Sequence, residues 1–194
     1  MRRIILSILV LVLVIVVVYW PRPEDSTTEQ PQSASPMDRW QERIFKKPFG
    51  IYITPQNSPI QPEKFTGYHT GVDFEIFPSE LDKEIEIRAV CDGQLLEKRY
   101  ISGYGGVAIQ ECKLQGEDVT VLYGHLKLSD IKVNPGQQLT KGEKIGILGK
   151  AYSSETDGER KHLHLGIHKG KTINVKGYVQ TPGELDNWID FEEI

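Results

Sequence analysis

The chain has 194 residues, enough for one ordinary domain with appendages and for a core large enough to stand without disulfides or metal staples. Its formal charge is -4, with Glu and Lys interspersed, so no basic footprint invites nucleic acid as a partner. Five histidines are the scarce chemical resource, and four of them fall in short patterned segments.

Residues 4–20 are apolar apart from Ser7, follow Arg2 and Arg3, and close on Tyr19-Trp20. As a helix the run reaches roughly 25 Å at about 1.5 Å per residue, the short end of what spans a bilayer. Arg2 and Arg3 lie on the near side, while Arg22 is offset by Glu24 and Asp25. The positive-inside rule then puts the amino terminus in the cytoplasm and the rest of a single-pass chain outside it. No small-x-small site closes the run, so residues 1–20 read as a retained anchor rather than a cleaved signal peptide. Residues 21–37 are rich in Pro, Ser and Thr, with little to bury, and read as a disordered tether. Residues 38–194 are then the working domain.

Within that domain, residues 38–46 predict a short helix with Trp40 and Phe45 inward, and 49–54 alternate as a strand. Segments 84–91, 93–100, 107–112, 119–123, 144–148 and 162–168 are rich in Val, Ile, Leu and Tyr and bounded by Gly, Asp, Asn or Pro. Asp92-Gly93 is a hairpin signal. The expectation is a mainly β domain, an antiparallel sandwich or partly open barrel of short strands with a groove. A polar loop, residues 150–161, leads into His162-Leu163-His164, where substrate contacts are expected. Cys91 and Cys112 are too few and too far apart for a zinc knuckle or a Cys-x-x-Cys motif. A disulfide and two buried thiols both remain open for them.

His69 and Asp73 in Tyr68-His-Thr-Gly-Val-Asp-Phe74, His125 in Tyr123-Gly-His-Leu126, and the 162/164 pair are the stock of a metal site with proton-transfer groups. Two imidazoles and one carboxylate on zinc leave a fourth tetrahedral position for water, the mark of a catalytic site. Hydrolysis is the chemistry this predicts. On a strand, His162 and His164 share a face. His69 and Asp73 would stand roughly 13 Å apart in a straight strand, so their segment must bend, with Gly71 the residue to allow it. Tyr123 is expected to pack, and His168 to sit at a groove edge rather than bind metal.

The chain resembles the lysostaphin and LytM-type zinc endopeptidases, which cut peptide links in bacterial peptidoglycan. The resemblance spans about residues 47–190. It rests on Gly67-Tyr-His-Thr-Gly-Val-Asp-Phe74, Asp92-Gly93, Tyr104-Gly-Gly-Val-Ala-Ile109, Tyr123-Gly-His-Leu126, Lys141-Gly-x-x-Ile-Gly146 and His162-Leu-His-Leu165, in that order. It implies an antiparallel β core, one zinc ion held by His69, Asp73 and His164, and a catalytic pair, His125 and His162. The implied partners are peptidoglycan peptides, with the membrane contacted through residues 1–20 and no nucleic acid involved. Residues 150–161 lack the Ser-Thr-Gly run frequent in the family. Two other functions stay open: a catalytically silent activator of wall hydrolases or wall-binding module, and a metallo-carboxypeptidase trimming stem peptides.

Overall fold

The structure is a computed structural model that describes residues 34–194. The expected anchor, and all but the last residues of the expected tether, lie outside the described residues. Among those described, no helix is long and apolar enough to cross a membrane.

Twelve strands run in chain order through the described residues. They are β1 (Tyr52–Ile53), β2 (Gly67–His69), β3 (Gly71–Glu75), β4 (Glu86–Arg88), β5 (Gly93–Ile101), β6 (Gly105–Leu114), β7 (Glu117–Leu126), β8 (Gln138–Leu139), β9 (Lys144–Ile147), β10 (His162–Lys169), β11 (Tyr178–Val179) and β12 (Trp188–Ile189). A single α-helical turn, α1 (Pro182–Leu185), starts at Thr181, whose hydroxyl accepts from the Glu184 N–H. All strand pairings are antiparallel. The domain is therefore mainly β, as expected, built as open sheets rather than a closed barrel.

The main sheet has the order β12-β10-β7-β6-β5-β8, with β3 and β12 sharing the edge of β10 opposite β7. The long β6–β7 hairpin turns at Gln115-Gly116, where both residues have positive φ (51° and 84°), the backbone of a tight two-residue turn that follows strand twist. Alternation along the central strands sorts the side chains into two sets. Val72, Phe74, Val119, Val121, Tyr123, Leu163, Leu165 and Ile167 enter the main core. Asp73, Glu75, His162 and His164, the residues between them, share the other face.

Several expectations need correction. Residues 38–46 hold only a 3-10 turn, Trp40–Glu42, preceded by Arg39 at φ 55°. Trp40 packs edge-on against Phe74 and Phe191, but Phe45 is 59 % exposed. The helix loses because Arg43 and Lys47 lend their carbonyls to the Glu75 and Asp73 N–H groups, so residues 43–47 serve as an irregular edge beside β3. Asp92-Gly93 is no hairpin either, since β4 pairs with β9 and not with β5. Gly93 is needed because a Cβ there would lie 1.9 Å from the Glu111 carbonyl oxygen across the ladder. Packed structure also begins before Asp38: Ala34 donates to the Val90 carbonyl, Pro36 accepts from Arg88, and Met37 is fully buried. Cys91 and Cys112 form a disulfide. Trp188 and Phe191 close the core from the carboxyl end.

Candidate metal centre

The chain leaves one sheet and enters another at Thr70. His69 ends β2, which pairs with β1 and β11, and Asp73 lies in β3, which pairs with β10. That change of direction, rather than a hinge at Gly71, replaces the 13 Å of a straight strand with 3.3 Å between His69 Nε2 and Asp73 Oδ1. Gly71 serves a different need. It stands opposite Gly166, and a Cβ on it would lie 2.5 Å from the Leu165 carbonyl oxygen and 2.8 Å from the His164 ring.

Across the β3–β10 ladder His164 is in register with Asp73, and its Nδ1 lies 3.0 Å from Asp73 Oδ1 and 3.0 Å from His69 Nε2. The three donor atoms thus form a triangle with edges of 3.0, 3.0 and 3.3 Å. Zinc bonds of about 2.0–2.1 Å at tetrahedral angles require edges of roughly 3.3 Å, so the donors are spaced as one face of such a tetrahedron. The other nitrogen of His69, Nδ1, faces the Pro48 carbonyl at 3.2 Å, which fixes its tautomer and leaves the Nε2 lone pair for a metal. His69, Asp73 and His164 are all buried, and the donor set of two imidazoles and one carboxylate fits zinc.

His125 reaches the same face by a backbone irregularity. Between Gly106/Leu126 and Ala108/Tyr123 the β6–β7 register shifts, leaving one extra residue on β7. Tyr123 and Leu126 both enter the core, and His125, at φ 64°, is turned to the site side, as bulges beside active sites re-aim a side chain. Gly124 beside it admits Tyr104, whose ring would stand 2.7 Å from a Cβ there. The His125 and His162 rings are 4.2 Å apart. His162 Nδ1 donates to the Arg160 carbonyl at 2.9 Å, leaving Nε2 3.3 Å from Asp73 Oδ2.

The electrostatics favour a metal. Burial alone would raise the Asp73 carboxyl, but the surrounding His162 and His69 imidazoles and the hydrogen bonds with His162 and His164 outweigh it, holding Asp73 well below the ordinary carboxylate range. Burial pushes His164 down to about 4, and burial with the nearby His162 holds His125 well below 6.5. At neutral pH the carboxylate is charged while His164 and His125 are neutral, the forms that bind metal and accept protons.

These groups line a cavity of about 330 Å³, walled by Phe65, Tyr104, Val175 and Tyr178. The Tyr104 hydroxyl and His125 Nδ1 are buried with no hydrogen-bond partner. Tyr123 lies on the opposite face; its hydroxyl accepts from the Val90 N–H at 2.9 Å and donates to Gln110 Oε1 at 2.8 Å, so it packs and braces the core. His168 stacks edge-on against Trp188 and is absent from the cavity wall, neither ligand nor groove edge.

Sequence reasoning missed Arg160, Glu75 and Tyr104. Glu75 was findable, since it follows Asp73 by two on a strand. Arg160 carries no pattern that separates it from Lys161, which turns the other way to donate to the carbonyls of Glu80, Leu81 and Lys83.

Residues 67–175 match the model of Peptidase family M23, more than half of the chain, and the chain belongs to that family. Its fold is that of the LytM-type members, and M23 peptidases are zinc-dependent. The solved structure of LytU is 22% identical with a TM-score of 0.51, over 76% of this chain and 81% of that one. CbpA from L. salivarius REN is 21% identical with a TM-score of 0.52, over 83% and 92%. A chain of the SpoIIIAH and SpoIIQ complex is 18% identical with a TM-score of 0.51, over 78% and 98%. At these identities the likeness is one of fold. No curated protein sequence matches the chain.

Proposed function

We propose that the chain is a zinc-dependent endopeptidase that hydrolyses peptide cross-links of bacterial peptidoglycan. The observation that carries this reading is the metal-sized donor triangle of His69, Asp73 and His164, with a second histidine pair, His125 and His162, lining one cavity together with Asp73 and His164. A silent regulator would have no need to keep all five side chains.

His69, Asp73 and His164 would hold the zinc ion, which when bound would supply the Lewis acidity to activate a water molecule and polarise the scissile carbonyl. His125, kept neutral by burial, accepts a proton from the attacking water. His162 is held by its Nδ1–H bond to the Arg160 carbonyl, with Nε2 3.3 Å from Asp73 Oδ2, and in its protonated form it can donate from Nε2 to the developing oxyanion or to the leaving amine. The unpartnered Tyr104 hydroxyl offers a further neutral donor, since burial holds it protonated.

Residues 1–20 are proposed as the anchor, with the domain outside the cytoplasm. The Cys91–Cys112 disulfide supports this location, because such bonds persist in oxidising compartments.

The test is digestion of purified peptidoglycan by the full chain, with and without chelator, read by mass spectrometry of released fragments. Chelator-sensitive cleavage of cross-links is the expected result. Release of single terminal residues would mean a carboxypeptidase, and no cleavage by folded, zinc-loaded protein would move the assignment to a wall-binding regulator.

A further inference from the structure

The two oxygens of Asp73 have separate partners. Oδ1 faces His164 and His69, as above, whereas Oδ2 accepts from Arg160 Nη2 at 2.8 Å and lies 3.3 Å from His162 Nε2, so the arginine is its nearer partner. Arg160 is in turn gripped by Glu75: its Nε lies 2.9 and 3.0 Å from the two Glu75 oxygens, and its Nη2 lies 2.5 Å from Oε1. Lys46 Nζ, 3.5 Å from Glu75 Oε2, ends the chain of charges toward solvent.

We propose that Arg160 is a positioning residue for the metal site, holding Asp73 so that a single carboxylate oxygen, Oδ1, faces the metal, while Glu75 fixes the guanidinium. The inference rests on the zinc reading of the site. Three observations support it. The Arg160, Asp73 and Glu75 side chains are 10%, 3% and 4% exposed, and burying such an ion cluster is costly unless geometry compensates. Asp73 and Glu75 would repel on one face of β3, and the planar fork of Arg160 holds both in a fixed arrangement, Nε and Nη2 on Glu75 and Nη2 on Asp73, that the single ammonium of a lysine does not reproduce. Finally, the same residue serves His162 through its main-chain carbonyl, so one loop residue orients a ligand with its side chain and a catalytic candidate with its backbone.

Replacing Arg160 alone would confound the result, because the stranded Glu75 charge would destabilise the fold and attract the metal electrostatically. Glu75→Gln with Arg160→Gln removes one charge of each sign and leaves the Arg160 carbonyl in place. Zinc affinity of the full chain, measured by competition with a chromophoric chelator, is expected to fall by about 10–100-fold in this double variant. The cobalt-substituted protein should show weaker visible absorption as Asp73 turns to offer both oxygens and the coordination number rises.

Unchanged affinity with an unchanged cobalt spectrum would overturn the proposal. If the double variant fails to fold, Arg160→Lys, which keeps the charge and loses the fork, should show the same two changes, and their absence there would overturn it equally. A wild-type chain that takes up no zinc would sink the zinc reading and this inference together. Zinc uptake by wild type with unaffected variants would sink this inference alone.

Discussion

Gly71→Ala perturbs the candidate metal centre without touching a ligand. The new Cβ would lie 2.8 Å from the His164 ring and 2.5 Å from the Leu165 carbonyl oxygen, against an ordinary contact of 3.4 Å or more. The ring must therefore retreat by about 0.6 Å, from 2.8 to 3.4 Å. A metal site tolerates errors of about 0.2 Å in its ligand distances, so the displacement exceeds what the donor triangle can absorb. Zinc affinity should fall by about 10-fold or more, the scale of a disturbed ligand orientation. The strain should also cost about 1–3 kcal/mol of stability, as for other overpacked interiors. For a domain of this size that lowers the melting midpoint by roughly 2–4 °C per kcal/mol. The assay is chelator competition for zinc beside a thermal melt of the zinc-free chain. A variant that binds zinc as wild type does would refute the claim that the His164 ring needs the vacant side of Gly71.

His164→Ala should lose zinc, whereas His125→Ala should keep it and lose about 10²–10⁴-fold in turnover, measured by metal analysis and wall digestion; zinc loss in both would count against the division of roles. Tyr123→Phe should leave turnover intact but cost about 2 kcal/mol or more in a denaturant melt, since the Val90 N–H and Gln110 Oε1 lose their buried partner. Reduced turnover at full stability would show that Tyr123 takes part in the chemistry. The zinc-free chain should lose stability as pH falls from 6.5 through about 4, because unfolded His164 binds a proton that the folded residue refuses. The displacement from 6.5 to about 4 is worth about 3 kcal/mol, and Asp73, also lowered, adds its own loss below pH 3.8. Melting midpoints at pH 7.5 and pH 5 that coincide would contradict this.

The sequence by itself determined the donor types, the β character and the shared face of His162 and His164, because these depend on residue identity and on the two-residue period of a strand. It also showed, through the ordered motifs, which family the chain would join. Only the tertiary structure decided how His69 meets Asp73, since the bend at Thr70 comes from pairing with two different sheets. The re-aiming of His125 depends on a one-residue slip between β6 and β7, which no local pattern announces. Asp92-Gly93 misled for the related reason that a glycine demanded by a neighbouring strand looks the same in sequence as one demanded by a turn. Arg160 was the least legible, because an arginine in a charged loop becomes a buried partner of Asp73 only when the fold brings β3 alongside it.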